Sequence, residues 1–251
     1  MSARWPDPSD FARGTLGGGL RRVVRAVIFL VLRPLVGYRV VGIENIPATG
    51  AVIVAANHLH NLDPLFVDAA VPRRIHYMAK KEAFKNRVVG YLLLRGGAFP
   101  IDRGKSDRAA IRRSLATLKQ GIPLGLFPEG TRSATMALAQ AHSGAGLLAL
   151  SSGSPVVAAI VTGSERLRFN GSKGKAARAL RMPEPGHKGV RVLFGEPFTV
   201  PRSIDGRRIG SEEAAEIIMI EIARLLPPEY RGVYTEKLED ETVRRAIPLS
   251  G

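Results

Sequence analysis

The chain has 251 residues, of which 45% are hydrophobic and 6% aromatic, enough apolar material for a packed core. It has no cysteine, which excludes disulfides, thiolate metal sites and a thiol nucleophile. Its formal net charge of +15 favours an anionic partner: nucleic acid, an anionic membrane, or phosphorylated or CoA-like molecules. The basic residues are spread along the chain, and no nucleic-acid-binding module is recognisable, so nucleic acid is not expected.

Residues 1–19 are polar and rich in Gly and Pro. Leu20–Val36 reads as a helix with arginines around an apolar body, kinked or ended by Pro34. Two roles suit it, a segment lying in a membrane interface or a cover for the core. Its most apolar part, Ala26–Leu32, falls short of the roughly 20 residues of a spanning helix. No small-residue cleavage site follows it, so it is not read as a signal peptide. The expected organisation is an N-terminal segment over 1–37, one domain over 38–232 and a polar tail over 233–251.

From Tyr38 onward strands and helices alternate. Tyr38–Ile43 reads as a strand, then Ala51–Ala56, a continuous apolar run. Pro64–Val71 reads as a short helix. Strands are expected at Ile75–Ala79, Ala98–Ile101, Pro123–Phe127, Pro155–Val161 and Val190–Phe194. Helices are expected before Leu94, over Ser106–Gln120 with Ser106 as cap, over Gly144–Ser152 ended by Gly153, and over Ser211–Leu226 with Ser211 as cap. Gly163–Gly189 reads as a basic surface excursion. This is an α/β pattern: a single mostly parallel twisted sheet with helices on both faces, preceded by a membrane-associating helix. In such sheets functional groups gather in the loops after the strands.

Several of those loops carry suitable groups. Asn57-His58-Leu59-His60-Asn61-Leu62-Asp63-Pro64 follows the Ala51–Ala56 strand. A continuous strand would put His58 and Asp63 on opposite faces, and a continuous helix would separate them by roughly 140°. Only a turn lets the carboxylate reach the imidazole, fix its tautomer and leave the other nitrogen to accept a proton. Asp63 also suits a plain helix N-cap. Later come Phe99-Pro100-Ile101-Asp102-Arg103 and Phe127-Pro128-Glu129-Gly130-Thr131-Arg132-Ser133. Arg103 and Arg132 suit a phosphate, because guanidinium offers a planar fork of donors. Gly130 permits close backbone approach. Glu129 would repel a phosphate, so it is expected to bond a hydroxyl or brace an arginine. Thr131 and Ser133 are expected to stabilise the loop rather than react.

In order and spacing these blocks, with Ser154–Ile160 after them, resemble the glycerolipid acyltransferase family, and within it the 1-acylglycerol-3-phosphate (lysophosphatidate) acyltransferases. The resemblance spans about Gly42 to Phe198. It implies that His58 and Asp63 form the catalytic pair, that Arg103, Glu129, Gly130, Thr131 and Arg132 bind the acyl acceptor, and that the Pro155 stretch borders a substrate pocket. It implies transfer of a fatty acyl group to the sn-2 hydroxyl of lysophosphatidate, giving phosphatidate. Acyl-CoA or acyl carrier protein would be the co-substrate, with no cofactor and no metal. The partners would be an anionic membrane and an acyl carrier protein, at the cytoplasmic face of the cell membrane. Two positions depart from the family pattern: His60, where many relatives have a small hydroxyl residue, and Ala141-His142-Ser143-Gly144, where a basic residue often precedes the glycine. Other readings are transfer to another lysophospholipid, a lyso-aminolipid or glycerol-3-phosphate, and a non-enzymatic basic membrane-binding module. A metal-dependent hydrolase is disfavoured, since the five histidines form no second cluster.

Overall fold

The computed structural model describes residues 33–101, 108–167 and 189–238, together with residues 19, 23, 26, 27, 30 and 31. Seven strands form one sheet: β1 (Arg39–Val41), β2 (Ile53–Ala56), β3 (His76–Lys80), β4 (Ala98–Ile101), β5 (Leu124–Leu126), β6 (Val156–Thr162) and β7 (Arg191–Phe198). Their order is β1-β7-β6-β2-β5-β3-β4. All neighbours pair in parallel except β6 and β7, so β6, β2, β5, β3 and β4 end at one common edge. β2 and β6 are buried along their whole length, which is why their sequences are unbroken apolar runs rather than alternations.

Successive residues of β2 feed opposite faces of the sheet. Ile53 and Ala55 join one core with helices α4 (Arg108–Lys119), α5 (Gly144–Ser152) and α6 (Ser211–Leu225). Val54 and Ala56 join the other, with α2 (Asp63–Ala70). A short helical turn α1 (Arg33–Val36) precedes β1, and α3 (Arg87–Arg95) joins β3 to β4. The α5–α6 contact is close because Gly146 has no side chain: a Cβ there would lie 2.0 Å from the Ser211 carbonyl oxygen. A two-stranded hairpin, β8 (Ser203–Ile204) with β9 (Arg207–Arg208), turns through Asp205 and Gly206, both at positive φ.

Several boundaries differ from expectation. β7 runs past Phe194 to Phe198: a register shift between Val157 and Ala159 takes up Gly195 and Glu196, and Pro197 resumes the pairing opposite Val157. The cap of α6 is Gly210, and Ser211 is its first residue. Pro34 sits within α1 and does not end it, since the turn continues to Val36. Ser106 lies outside the described residues, as does most of the Leu20–Arg33 stretch and of the excursion between Gly163 and Gly189. Among the described residues no helix is long and apolar enough to cross a membrane. The stretch from 233 was expected to be a polar tail, yet Tyr234 is buried in the α6 core.

Candidate active site

At the end of β2 the main chain leaves the sheet while its side chain stays behind. The Asn57 amide donates to the Val161 carbonyl (2.9 Å) and accepts from the Val161 N–H (2.7 Å), extending the β2–β6 pairing by one step. His58 follows. Its N–H donates to Glu129 Oε1 (3.2 Å), and its carbonyl accepts from the Ser133 N–H (2.8 Å). Its ring stacks on Phe127, with centroids 4.2 Å apart. So both peptide groups and the ring of His58 are held by the segment after β5.

The chain then folds back through a tight turn. Asp63, fully buried, is the first residue of α2. Its Oδ2 accepts from the N–H groups of Leu59 (2.6 Å) and His60 (2.5 Å) and lies 3.1 Å from His58 Nδ1. Its carboxylate therefore reaches backward along the chain rather than capping its own helix; the cap position is Leu62. A proton on His58 Nδ1, donated to Asp63, leaves Nε2 as the nitrogen with a free lone pair. His60 Nδ1 accepts from the Leu62 N–H (3.1 Å), so His60 is committed to the turn. Among the described residues no group of three His, Asp or Glu side chains is placed to hold a metal ion.

Glu129 is buried behind the histidine. Oε1 takes the His58 N–H and Oε2 takes the Ala139 N–H (3.0 Å), so the carboxylate ties two distant segments of main chain together. Burial pushes its pKa up to about 7. The two N–H donors work against that rise, and the negative charge of Asp63 adds to it. The sequence pointed to a hydroxyl or an arginine as its partner; main-chain N–H groups occupy both oxygens.

Gly130 has φ 66, and a Cβ there would lie 2.6 Å from His142 Cδ2. The close approach this glycine permits is therefore made by His142, whose N–H donates to the Pro128 carbonyl (2.9 Å). Thr131 is exposed and Arg132 half-buried in the same loop. Arg103 lies outside the described residues, beyond the end of β4. Pro155 stands at the amino edge of the sheet, its carbonyl accepting from Ile53 N–H, at the opposite end of β6 from His58. The end of β6 that shares the site's edge carries Glu165, buried and bonded by the Tyr230 hydroxyl (3.2 Å), with its pKa raised by burial. The sequence reading missed Asn57, Phe127 and His142 as supports. The signal available was their position, each flanking an apolar run or the glycine of a motif.

The family model described as Acyltransferase matches residues 37–162, half of the chain and the part that contains every described site residue. The chain belongs to the acyltransferase family. This acyltransferase is 34% identical over 163 residues to the 1-acyl-sn-glycerol-3-phosphate acyltransferase of Bacillus subtilis, covering 64% of the present chain and 74% of that protein. It is 30% identical to the enzyme of the same name from Streptococcus pneumoniae, over 69% of the chain and 60% of the relative. Its fold is like that of the 1-acyl-sn-glycerophosphate (LPA) acyltransferase PlsC from Thermotoga maritima, with a TM-score of 0.62 at 22% identity over 88% of the chain and 80% of that structure. β7 and α6, which complete the sheet and one core of this acyltransferase, lie outside the matched family segment.

Proposed function

We propose that this acyltransferase moves a fatty acyl group from a thioester to the sn-2 hydroxyl of 1-acylglycerol-3-phosphate, with acyl-CoA or acyl carrier protein as donor. The observation that carries the reading is the His58 Nδ1–Asp63 contact at 3.1 Å, set at the carboxyl edge of the sheet beside the Glu129–Arg132 loop. An alcohol is a poor nucleophile near neutral pH and needs a positioned base. His58 Nε2 takes the hydroxyl proton as the oxygen attacks the thioester carbon. The tetrahedral adduct then collapses, the C–S bond breaks, and the imidazolium returns its proton to the departing sulfur. The products are phosphatidate and the free thiol of the carrier. Asp63 holds the imidazole tautomer and steadies its charged form. Arg132, in the Glu129–Arg132 block, and Arg103, in the Phe99–Arg103 block, hold the acceptor phosphate. The names of the relatives support lysophosphatidate as acceptor. A lysophospholipid, a lyso-aminolipid and glycerol-3-phosphate are the competing acceptors.

Glu129 supports the transfer without facing the phosphate, since its two oxygens are turned to the main chain. The basic charge of the chain suits an anionic bilayer and a peripheral position at the cytoplasmic face of the cell membrane. The test is transfer from labelled acyl-CoA to lysophosphatidate by the wild type and by His58→Ala, with acyl carrier protein as second donor and lysophosphatidylcholine as second acceptor. Labelled phosphatidate from the wild type and none from a folded His58→Ala supports the reading. Equal activity in the variant removes His58 as base, and product only from lysophosphatidylcholine reassigns the acceptor.

A further inference from the structure

Helix α3 carries apolar side chains on an exposed face. Val88 is 69% exposed, Val89 43% and Tyr91 54%. The other face is anchored: Gly90 lies so close to the preceding turn that a Cβ would sit 2.8 Å from the Phe84 carbonyl oxygen, and Phe84 and Leu93 pack on the core. The exposed apolar side chains thus lie on the face turned away from that packing. Cations flank their N-terminal side, with Lys80, Lys81, Lys85 and Arg87 all exposed in the approach to the helix and its first residue; Glu82, beside Lys80, is the acidic residue among them. An apolar face edged by Lys and Arg is the pattern of a helix lying in a membrane interface.

Topology places this surface well for a lipid substrate. β3 ends at Lys80 on the same edge of the sheet as His58, so the turn 81–84 and the start of α3 stand at the rim of the active site. An acidic carrier protein would also be drawn by the charge. The described N-terminal positions favour a bilayer instead: Leu30 is 77% and Leu35 73% exposed, giving a second apolar surface far from α3 in sequence.

We infer that the outer face of α3 is a second lipid contact, which docks the rim of the active site onto an anionic bilayer. The inference rests on the proposed lipid acceptor and adds where the surface meets it. The chain has no cysteine, so a single Val88→Cys substitution carries one environment-sensitive fluorophore on the full-length protein. Thr49→Cys, exposed before β2 at the opposite edge of the sheet, is the control. The probes are phosphatidylcholine vesicles with and without phosphatidylglycerol. With anionic vesicles the label at 88 is expected to brighten roughly two- to threefold and to be quenched by spin-labelled lipid, while the label at 49 stays unchanged. Lys85→Glu with Arg87→Glu should raise the lipid needed roughly tenfold. If the chain floats with vesicles and the label at 88 is silent, α3 is not a lipid contact and the bilayer is met elsewhere. If the chain floats with no vesicle, both this inference and the peripheral-membrane reading fall. A label that responds to acyl carrier protein but not to vesicles assigns the surface to the donor. Phosphatidate synthesis measured on the same samples reports the catalytic reading separately.

Discussion

The turn at residues 57–63 and the loop at 127–139 serve one histidine in opposite ways. The turn is local: Asp63 binds groups only three to five residues away, and its chemistry follows from the spacing of a short motif. The loop is remote: Glu129 and Ser133 grip His58 across 71 and 75 residues of chain, through main-chain groups. In the proposed mechanism the local element sets the tautomer of the base, and the remote element sets where the base stands. A site needs both, but only the first leaves a pattern of residue types in the sequence.

The largest expected effect removes the base. His58→Ala should lower transfer roughly 10³- to 10⁴-fold while circular dichroism stays native. Asp63→Asn should cost about 10²- to 10³-fold and, since a buried acceptor of two N–H groups is altered, roughly 1–3 kcal/mol of stability in denaturant melts. Glu129→Gln separates the two elements. Its amide NH₂ would face one of the two main-chain donors, so kcat should fall roughly tenfold to a hundredfold with the KM for the acceptor little changed. A raised KM with kcat intact would instead place Glu129 on the substrate.

Acidity tests the same loop. Glu129 has its pKa raised from 4.5 to about 7, so the folded chain binds this proton more tightly than the unfolded chain. Between those values the unfolded state holds fewer protons, and the contribution of Glu129 to stability falls as pH rises. The ionised form accepts both N–H groups, so activity should rise over the upper part of that window. Thermal melts and transfer rates should thus move in opposite directions with pH in the wild type, and the Glu129→Gln variant should lose its share of both slopes.

Gly130→Ala should disable the loop through the His142 clash and the positive φ. Adding His142→Ala should recover part of the loss, leaving a backbone cost of about 1 kcal/mol. The smallest change is Thr131→Ala, exposed and expected within about 0.5 kcal/mol of wild type in the same melts.

The sheet was legible because buried parallel strands leave unbroken apolar runs, as in Ala51–Ala56 and Val156–Thr162. β7 extends beyond Phe194 although Gly195 and Pro197 look like breakers: a register shift between Val157 and Ala159 takes up Gly195 and Glu196, and Pro197 resumes the pairing opposite Val157. At the site, spacing required a turn if His58 and Asp63 were to meet, and the accompanying motif blocks gave the reason to expect one, whereas the partners of Glu129 were not readable. A carboxylate that binds backbone N–H groups has partners of no particular residue type, so nothing in the sequence announces them. The buried Met136 is another such case. It holds φ 68, a conformation glycine adopts more easily, and does so in a core assembled from distant segments.

The N–H groups of residues 58, 59 and 60 are each bound to a carboxylate, and those of 130 and 133 to carbonyl oxygens. In an acyl transfer, negative charge gathers on the thioester oxygen and must be met by a donor. In the proposed transfer the turn that carries His58 offers none of these amides, so the oxyanion donors are expected outside these five.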